Sequence, residues 1–331
     1  MEGTMKICII GCGMISAYHA EAIKAVEGME LYGFYDAYTP AAEKKAAETN
    51  TVCFRTLEEI WESDVDAVTI CTPSGTHGGL TIAALNAGKH AIVEKPLALT
   101  AEELDQILEA EKRTGKICAP ISQHRCSEGV MEAKELLEKG TIGKPIGVNT
   151  TIRYHRDREY YSSSSWKGTI RMDGGVLMNQ GIHAIDIMCF LNGYPDRVQG
   201  FCNTLFHNIE AEDTAAAVLY FPDGKLGTLI GTTAAASGSP WRMEIWGTEG
   251  SITLEEDVLT LVNDLPRKAD ADTKVGGFDK PDGIPVTEHI KQLQNISDAV
   301  RGISKLDYTS QEAAETVRLI LQITANRNVK V

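Results

Sequence analysis

Three things are missing from this sequence: long apolar runs, an excess of basic residues and paired cysteines. No stretch approaches the ~18 uninterrupted apolar residues that span a bilayer, so a membrane protein is not expected. Acids outnumber bases by 46 to 32, a formal net charge of −14. That balance argues against a nucleic-acid or anionic-membrane surface, where basic excess does the attracting. The eight cysteines (Cys8, Cys12, Cys53, Cys71, Cys118, Cys126, Cys189 and Cys202) include no C-x-x-C pair and no histidine-rich partner spacing. Reduced thiols are expected rather than disulfides or zinc, and no metal is expected. Met1–Lys6 runs straight into Ile7–Gly11 without the cleavage-site architecture of a signal peptide. The cytoplasm is the expected compartment.

What is there is material for two domains: 331 residues, 43% of them hydrophobic, against ~150 residues per domain. Over residues 1–122 short apolar runs alternate with helical segments, the pattern of a parallel sheet with helical crossovers. Lys6–Ile10, Met29–Tyr35, Ala67–Cys71, His90–Val93 and Ile117–Ile121 are the runs. Capping boxes start at Thr56 and Thr100, and Gly88 and Gly115 follow helical segments where a left-handed terminator is wanted. Past Gln123 the alternation stops. Residues 123–331 read as a second, α/β domain rich in antiparallel strands. Its expected elements are a helix over Glu128–Lys139, a strand over Ile146–Tyr154 and a four-turn helix over Val176–Leu191. Five strands follow (Val198–Phe206, Ala215–Phe221, Lys225–Thr233, Arg242–Gly247, Ser251–Leu254), then a surface loop over Asp264–Pro285. Helices over Glu288–Arg301 and Gln311–Arg327 close the chain, the second capped by Thr309 and Glu312.

The strongest local signal is Gly11-Cys12-Gly13-Met14-Ile15-Ser16, directly after a strand and opening a helix. Gly11 permits a tight turn, and Gly13 lets the backbone approach a pyrophosphate seated on the positive helix N-terminus. Asp36 ends the next strand, 20 residues past Ser16, where a carboxylate hydrogen-bonds a ribose 2′-hydroxyl and repels a 2′-phosphate. NAD is therefore favoured over NADP; a plain turn residue is the other reading of Asp36. Thr72-Pro73 with His77, and Glu94-Lys95-Pro96, follow two further strands, and ligands bind beyond the carboxyl ends of parallel strands. Lys95 at such a place suits a base whose charge is suppressed by desolvation; the alternative is a solvated lysine pairing Glu94.

In the second half, Asp173-Gly174-Gly175 leads into Asn179, His183 and Asp186. On one helix these three share a face that suits a substrate hydroxyl, unless Asp186 merely satisfies a core histidine. Arg153 to Arg171 carries five Lys/Arg and two acids, a local +3, interleaved with Tyr160, Tyr161 and Trp166. Such clustering suggests an anionic ligand with a ring or sugar; solvated loop charge is the alternative.

Together these pieces resemble the Gfo/Idh/MocA family of NAD(P)-dependent oxidoreductases. The resemblance covers essentially the whole chain. It rests on G-x-G-x-[IV]-[GSA]-x-x-H at Gly11 to His19, T-P-x-x-x-H at Thr72 to His77, E-K-P at Glu94 to Pro96, and a G-G…H-x-x-D run ending at Asp186. It implies an N-terminal Rossmann doubly wound parallel sheet, then an α/β domain with a large, mostly antiparallel open sheet. That sheet often makes oligomer contacts, so a homodimer or homotetramer is expected. The resemblance also implies that Lys95 and His183 flank the oxidised carbinol. Gly11, Gly13, Met14, Ile15, Asp36, Thr72, Pro73, His77, Glu94 and Lys95 would serve the cofactor, and Arg153, Tyr160, Trp166, Lys167, Asn179 and His183 the substrate.

One departure matters: inositol-dehydrogenase-like members carry aspartate where this chain has Asn179, which cannot relay a proton. The run from Tyr160 to His183 looks like the subgroup that oxidises C3 of UDP-N-acetylglucosaminuronate. The implied activity is NAD-dependent hydride transfer at a secondary hydroxyl of a sugar or sugar nucleotide. An NADPH-dependent reductase of a sugar-like carbonyl and a non-catalytic NAD- or sugar-sensing regulator are the rival readings.

Overall fold

In the computed structural model, residues 3–266 and 286–326 are described. Most of the expected surface loop over Asp264–Pro285 and the expected end of the last helix at Arg327 lie outside them. The described residues form two units, 3–123 with 286–314, and 124–266 with 315–326.

The first unit alternates strand and helix: β1 (Met5–Ile10), α1 (Met14–Ala25), β2 (Met29–Tyr35), α2 (Thr39–Thr49), β3 (Val52–Cys53), α3 (Leu57–Glu62), β4 (Ala67–Ile70), α4 (His77–Asn86), β5 (His90–Val93), α5 (Ala101–Thr114) and β6 (Cys118–Pro120). All pairs are parallel, in the order β3-β2-β1-β4-β5-β6. β4 and β5 are buried at every residue, as strands covered on both faces must be, which is why they read as mostly apolar runs despite Thr69 and His90. The helix starts behave as their residues dictate. The Thr56 and Thr100 hydroxyls each accept from an amide three residues on, at 3.2 Å. Two-residue β3 is too short to leave a run in the sequence.

The second unit holds α6 (Glu128–Glu138), β7 (Pro145–Arg153), α7 (Arg158–Ser162), a π-helical turn over Val176–Gly181, α8 (Ile182–Asn192), β8 (Arg197–Asn203), β9 (Thr214–Tyr220), β10 (Leu226–Thr232), β11 (Arg242–Gly247), β12 (Ser251–Glu255), β13 (Val258–Val262) and β14 (Leu265–Pro266). Its eight strands run β14-β13-β12-β11-β7-β10-β9-β8. Every pair is antiparallel except β7 with β10. Alternation divides the faces. Val148, Ile152, Leu219, Leu229, Met243 and Ile245 are buried, while Phe201, Val218, Leu226, Ile230 and Trp246 stand out into solvent.

The expected four-turn helix over Val176–Leu191 is a π-helical turn followed by α8. Gly175, at φ +92, breaks the chain into it, and a Cβ at Gly181 would lie 3.2 Å from the Val176 carbonyl oxygen. Inside an unbroken apolar run, periodicity does not distinguish a wide turn from a regular one.

Two helices complete the chain. α9 (Thr287–Val300) lays Leu293 and Ile296 into the first unit's core beside Ile7, Ile23 and Ile92. α10 (Ser310–Thr324) opens with the Thr309 capping box, where the Glu312 carboxylate accepts from the Thr309 amide at 3.0 Å.

Candidate active site

The first unit's site is built around the Gly11–Ser16 loop. Gly11 has φ +98, and a Cβ there would sit 2.7 Å from the Cys71 carbonyl oxygen, so no other residue fits without displacing β4's end. Gly13 differs: a Cβ there meets nothing within 4 Å. It is the N-cap of α1 and offers no side chain to the helix, so the first amides of α1 face open space. Open volume beside uncapped helical amides suits a pyrophosphate. Met14 is exposed there, and Ile15 is partly buried against the core. The Asp36 carboxylate accepts from the Cys12 amide at 2.7 Å and from the Tyr38 amide at 2.8 Å. It is thereby fixed at the lip of the loop, where a ribose would lie.

Because β1, β4 and β5 are parallel neighbours, their carboxyl ends share one edge of the sheet. Thr72 and Pro73 follow β4, and Pro73 precedes the short turn Ser74–Thr76. His77 is buried, its ring nitrogens 2.7 Å from the carbonyl oxygens of Pro96 and Thr72. It braces the two strand-end loops against each other from inside the protein. Burial pulls its pKa down, against the pull of those two carbonyls.

Glu94 is buried, with one carboxylate oxygen 2.8 Å from His19 Nε2 and the other accepting from the Lys95 amide at 3.2 Å. Burial alone would raise its pKa, but the His19 bond, with His19, His289 and Lys95 nearby, brings it down to about 2. The carboxylate stays ionised and anchors the backbone of half-buried Lys95, which precedes a cis peptide bond to Pro96.

In the second unit, the Asp157 carboxylate caps α7 by accepting from the Tyr160 amide at 2.7 Å. Tyr160 collects cations: Arg156 lies 5.0 Å and Lys167 4.3 Å from its ring centroid, and its hydroxyl accepts from Gln180 at 3.1 Å. Lys167 also lies 5.9 Å from the Trp166 ring and donates to Ser163. Arg153 is exposed at the end of β7. A cavity of about 650 Å³ opens beside this cluster, lined by Arg158, Tyr161, Ser164, Lys167, Phe206 and His207 among others. Two of the five basic residues of that stretch, Arg158 and Lys167, therefore line one recess walled by Tyr161, Phe206 and His207.

Asn179 projects from the π-helical turn and donates to the buried Asp173 carboxylate. His183, in the first turn of α8, is half-buried. Its ring centroid is 4.4 Å from that of His124, with the planes tilted by 59°. Asp186 lies three residues further along the same helix. It is buried and taken by Arg125, whose Nε and a terminal nitrogen each donate to it at 2.7 Å. Arg125, His124 and its partner Asp257 escaped the sequence reading because their partners lie 61 to 133 residues away and no local spacing signals them.

A parallel sheet in the order 3-2-1-4-5-6, with a glycine turn opening the first helix, defines a dinucleotide-binding fold. Residues 5–121 match the model of an oxidoreductase family with an NAD-binding Rossmann fold, and residues 130–253 match that of the GFO/IDH/MocA C-terminal domain. Myo-inositol 2-dehydrogenase of Thermotoga maritima is 30% identical over 260 residues, 75% of this chain and 74% of that protein. The NAD-linked scyllo-inositol 2-dehydrogenase of Bacillus subtilis is 30% identical over 274 residues, 80% of this chain and 78% of that one. The WlbA dehydrogenase of Bordetella pertussis, solved with NADH and UDP-GlcNAcA, has the same fold. It superposes with a TM-score of 0.88 over 98% of this chain and 96% of that one, at 24% identity. The chain belongs to the Gfo/Idh/MocA family of oxidoreductases and carries that family's NAD-binding domain. No helix among the described residues is long and apolar enough to cross a membrane.

Proposed function

We propose that this protein oxidises a secondary hydroxyl of a sugar or sugar nucleotide with NAD, and that Lys95 and His183 share the proton chemistry. NAD, when bound, supplies the hydride acceptor. Gly11, Gly13 and the α1 amides would hold its pyrophosphate, and Asp36 its ribose. The observation that carries the reading is Lys95 at the carboxyl end of β5, its amide donating at 3.2 Å to the buried Glu94 carboxylate. One oxygen of that carboxylate meets His19 and the other holds the amide of the residue that carries the amine. His183 accepts or returns the hydroxyl proton, and Lys95 stabilises the developing oxyanion, or the two exchange these roles. Asn179 orients the substrate, since an amide relays no proton.

The relatives' inositols and the nucleotide sugar acid bound by the WlbA enzyme are the two candidate substrate classes. The recess holding Arg158 and Lys167 against aromatic walls favours the anionic one. The exposed sheet face is taken to receive a second copy of this chain. It presents Phe201, Val218, Leu226, Ile230 and Trp246, and Arg242 there is neutralised by Glu244 and Glu255.

The test is a thermal-shift panel with NAD present, comparing UDP-sugar acids, free sugars and inositols, followed by NADH formation on whichever raises the melting temperature. Lys95→Ala is expected to lower turnover by orders of magnitude while NAD still binds. Near-normal turnover in that variant refutes its role.

A further inference from the structure

The imidazole of His183 does not stand alone. Its neighbour His124 lies in the short helical turn Gln123–Cys126, and His124 Nδ1 is 2.6 Å from an Asp257 carboxylate oxygen. Such a contact assigns the Nδ1 proton to the carboxylate side and makes His124 the ring on which positive charge is stabilised. Two imidazolium rings 4.4 Å apart repel, so charge held on His124 disfavours charge on His183.

The backbone is shaped to deliver that carboxylate. Asp257 sits in the β12–β13 turn directly after Glu256, a non-glycine residue at φ +51 whose amide donates to the Trp241 carbonyl at 2.8 Å. Strained turns of this kind persist where a side chain must be aimed. α6 comes close because residue 129 is glycine: a Cβ there would lie 2.2 Å from the Asp257 carbonyl oxygen. Other ionisable groups lie around the pair. Glu256, in the same turn, has its pKa raised by burial and by Asp257 against the pull of His124. Tyr154, at the end of β7, has its pKa raised by burial and stays neutral. Asp186 on α8 is neutralised by Arg125, and Lys134 on α6 rests on the Phe190 ring.

We propose that Asp257 and His124 are positioning residues for His183: the carboxylate holds positive charge on His124, and His124 in turn keeps His183 neutral and able to accept the substrate's hydroxyl proton. This rests on the reading of His183 as a proton acceptor in the dehydrogenase, so its test needs a readout that no substrate enters.

That readout is the titration of the His183 ring in the full-length protein, selectively ¹³C-labelled at its eight histidines, with the signal assigned by His183→Gln. The isosteric Asp257→Asn and the ring-to-amide His124→Gln are each expected to move the His183 midpoint upward by about 0.5 to 1 pH. Gly129→Ala, which pushes the Asp257 backbone, is expected to move it the same way by less. Unchanged or lowered midpoints in both Asp257→Asn and His124→Gln, with thermal melts like the parent's, overturn the proposal whether or not a substrate has been found. Once one has, the acid limb of kcat/KM in the oxidation direction should follow the same shift. A uniform loss of rate with an unmoved limb would mark a merely structural pair and equally overturn it. A moved ring titration in a protein that oxidises no sugar would sink the dehydrogenase reading and leave the charge coupling standing.

Discussion

Arg125 and Asp186 form a two-pronged ion pair with both nitrogen–oxygen distances at 2.7 Å, buried beneath α8. The Thr316 hydroxyl donates to the same carboxylate at 3.3 Å. The pair fixes the helix that carries His183, and its value depends on both members being present. Removing one leaves an uncompensated buried charge, whereas replacing both by apolar groups of similar volume often costs little. Arg125→Met is expected to destabilise by about 3 to 5 kcal/mol, and the double variant Arg125→Met with Asp186→Leu by markedly less. Denaturant unfolding of the two single variants and the double decides it, and additive losses would contradict the pairing.

Two glycines of one loop should behave differently. Gly11→Ala forces a Cβ at positive φ into the Cys71 carbonyl, so it should cost about 2 kcal/mol of stability or more together with NAD affinity. Gly13→Ala meets only open space in the protein. It should leave the melting temperature unchanged and weaken NAD binding alone, because its methyl occupies the volume where the pyrophosphate approaches. Calorimetric titration with NAD beside a thermal melt separates the two. Equal stability losses would refute the distinction.

His90, on β5, makes stability fall in mild acid. Its Nδ1 accepts from the Ile117 amide at 3.0 Å, which requires the neutral ring, and burial lowers its pKa to about 4. Below pH 6.5 the unfolded chain binds a proton that the folded one refuses. The contribution is therefore whole above 6.5 and is lost as pH falls toward 4. At pH 5 the loss from this one group is about 2 kcal/mol. His90→Asn, whose side-chain oxygen can accept the same amide, should flatten the slope of stability between pH 7 and 5. An unchanged slope would assign the acid sensitivity elsewhere.

The open sheet face offers a test of assembly. Val218 and Ile230 are 55% and 45% exposed on adjacent strands, with Phe201 at 60% beside them. Val218→Lys with Ile230→Lys should convert a dimer or tetramer to monomer in light scattering, with the monomer's helical and strand content retained. A parent protein that is already monomeric at micromolar concentration would refute the face as a contact between copies.

Much of this fold was legible because its signals are local. The strand–Gly11–helix junction, the fully buried β4 and β5, and the threonine–glutamate caps are each contained within a dozen residues, where periodicity and capping chemistry operate. Lys95 and His183 stood out through the motifs around them. What carried no local mark was the support beneath them. Glu94 meets His19 across 75 residues and His124 meets Asp257 across 133, and only the folded chain brings those pairs together. The spacing of Asn179 from His183 presumed a regular helical turn, whereas the chain makes a wide one as far as Gly181 and turns regularly only from Ile182 onward.

That wide turn over Val176–Gly181 has a consequence for how this site tolerates change. Each residue of an α-helix advances the azimuth by about 100°. Losing a single codon there would let the coil close to ordinary pitch and swing every later side chain of α8 around its axis. His183 would leave His124, and Asp186 would leave Arg125, though neither residue had been altered. In this segment the count of amino acids is itself under constraint, and a gapless substitution is the gentler mutation.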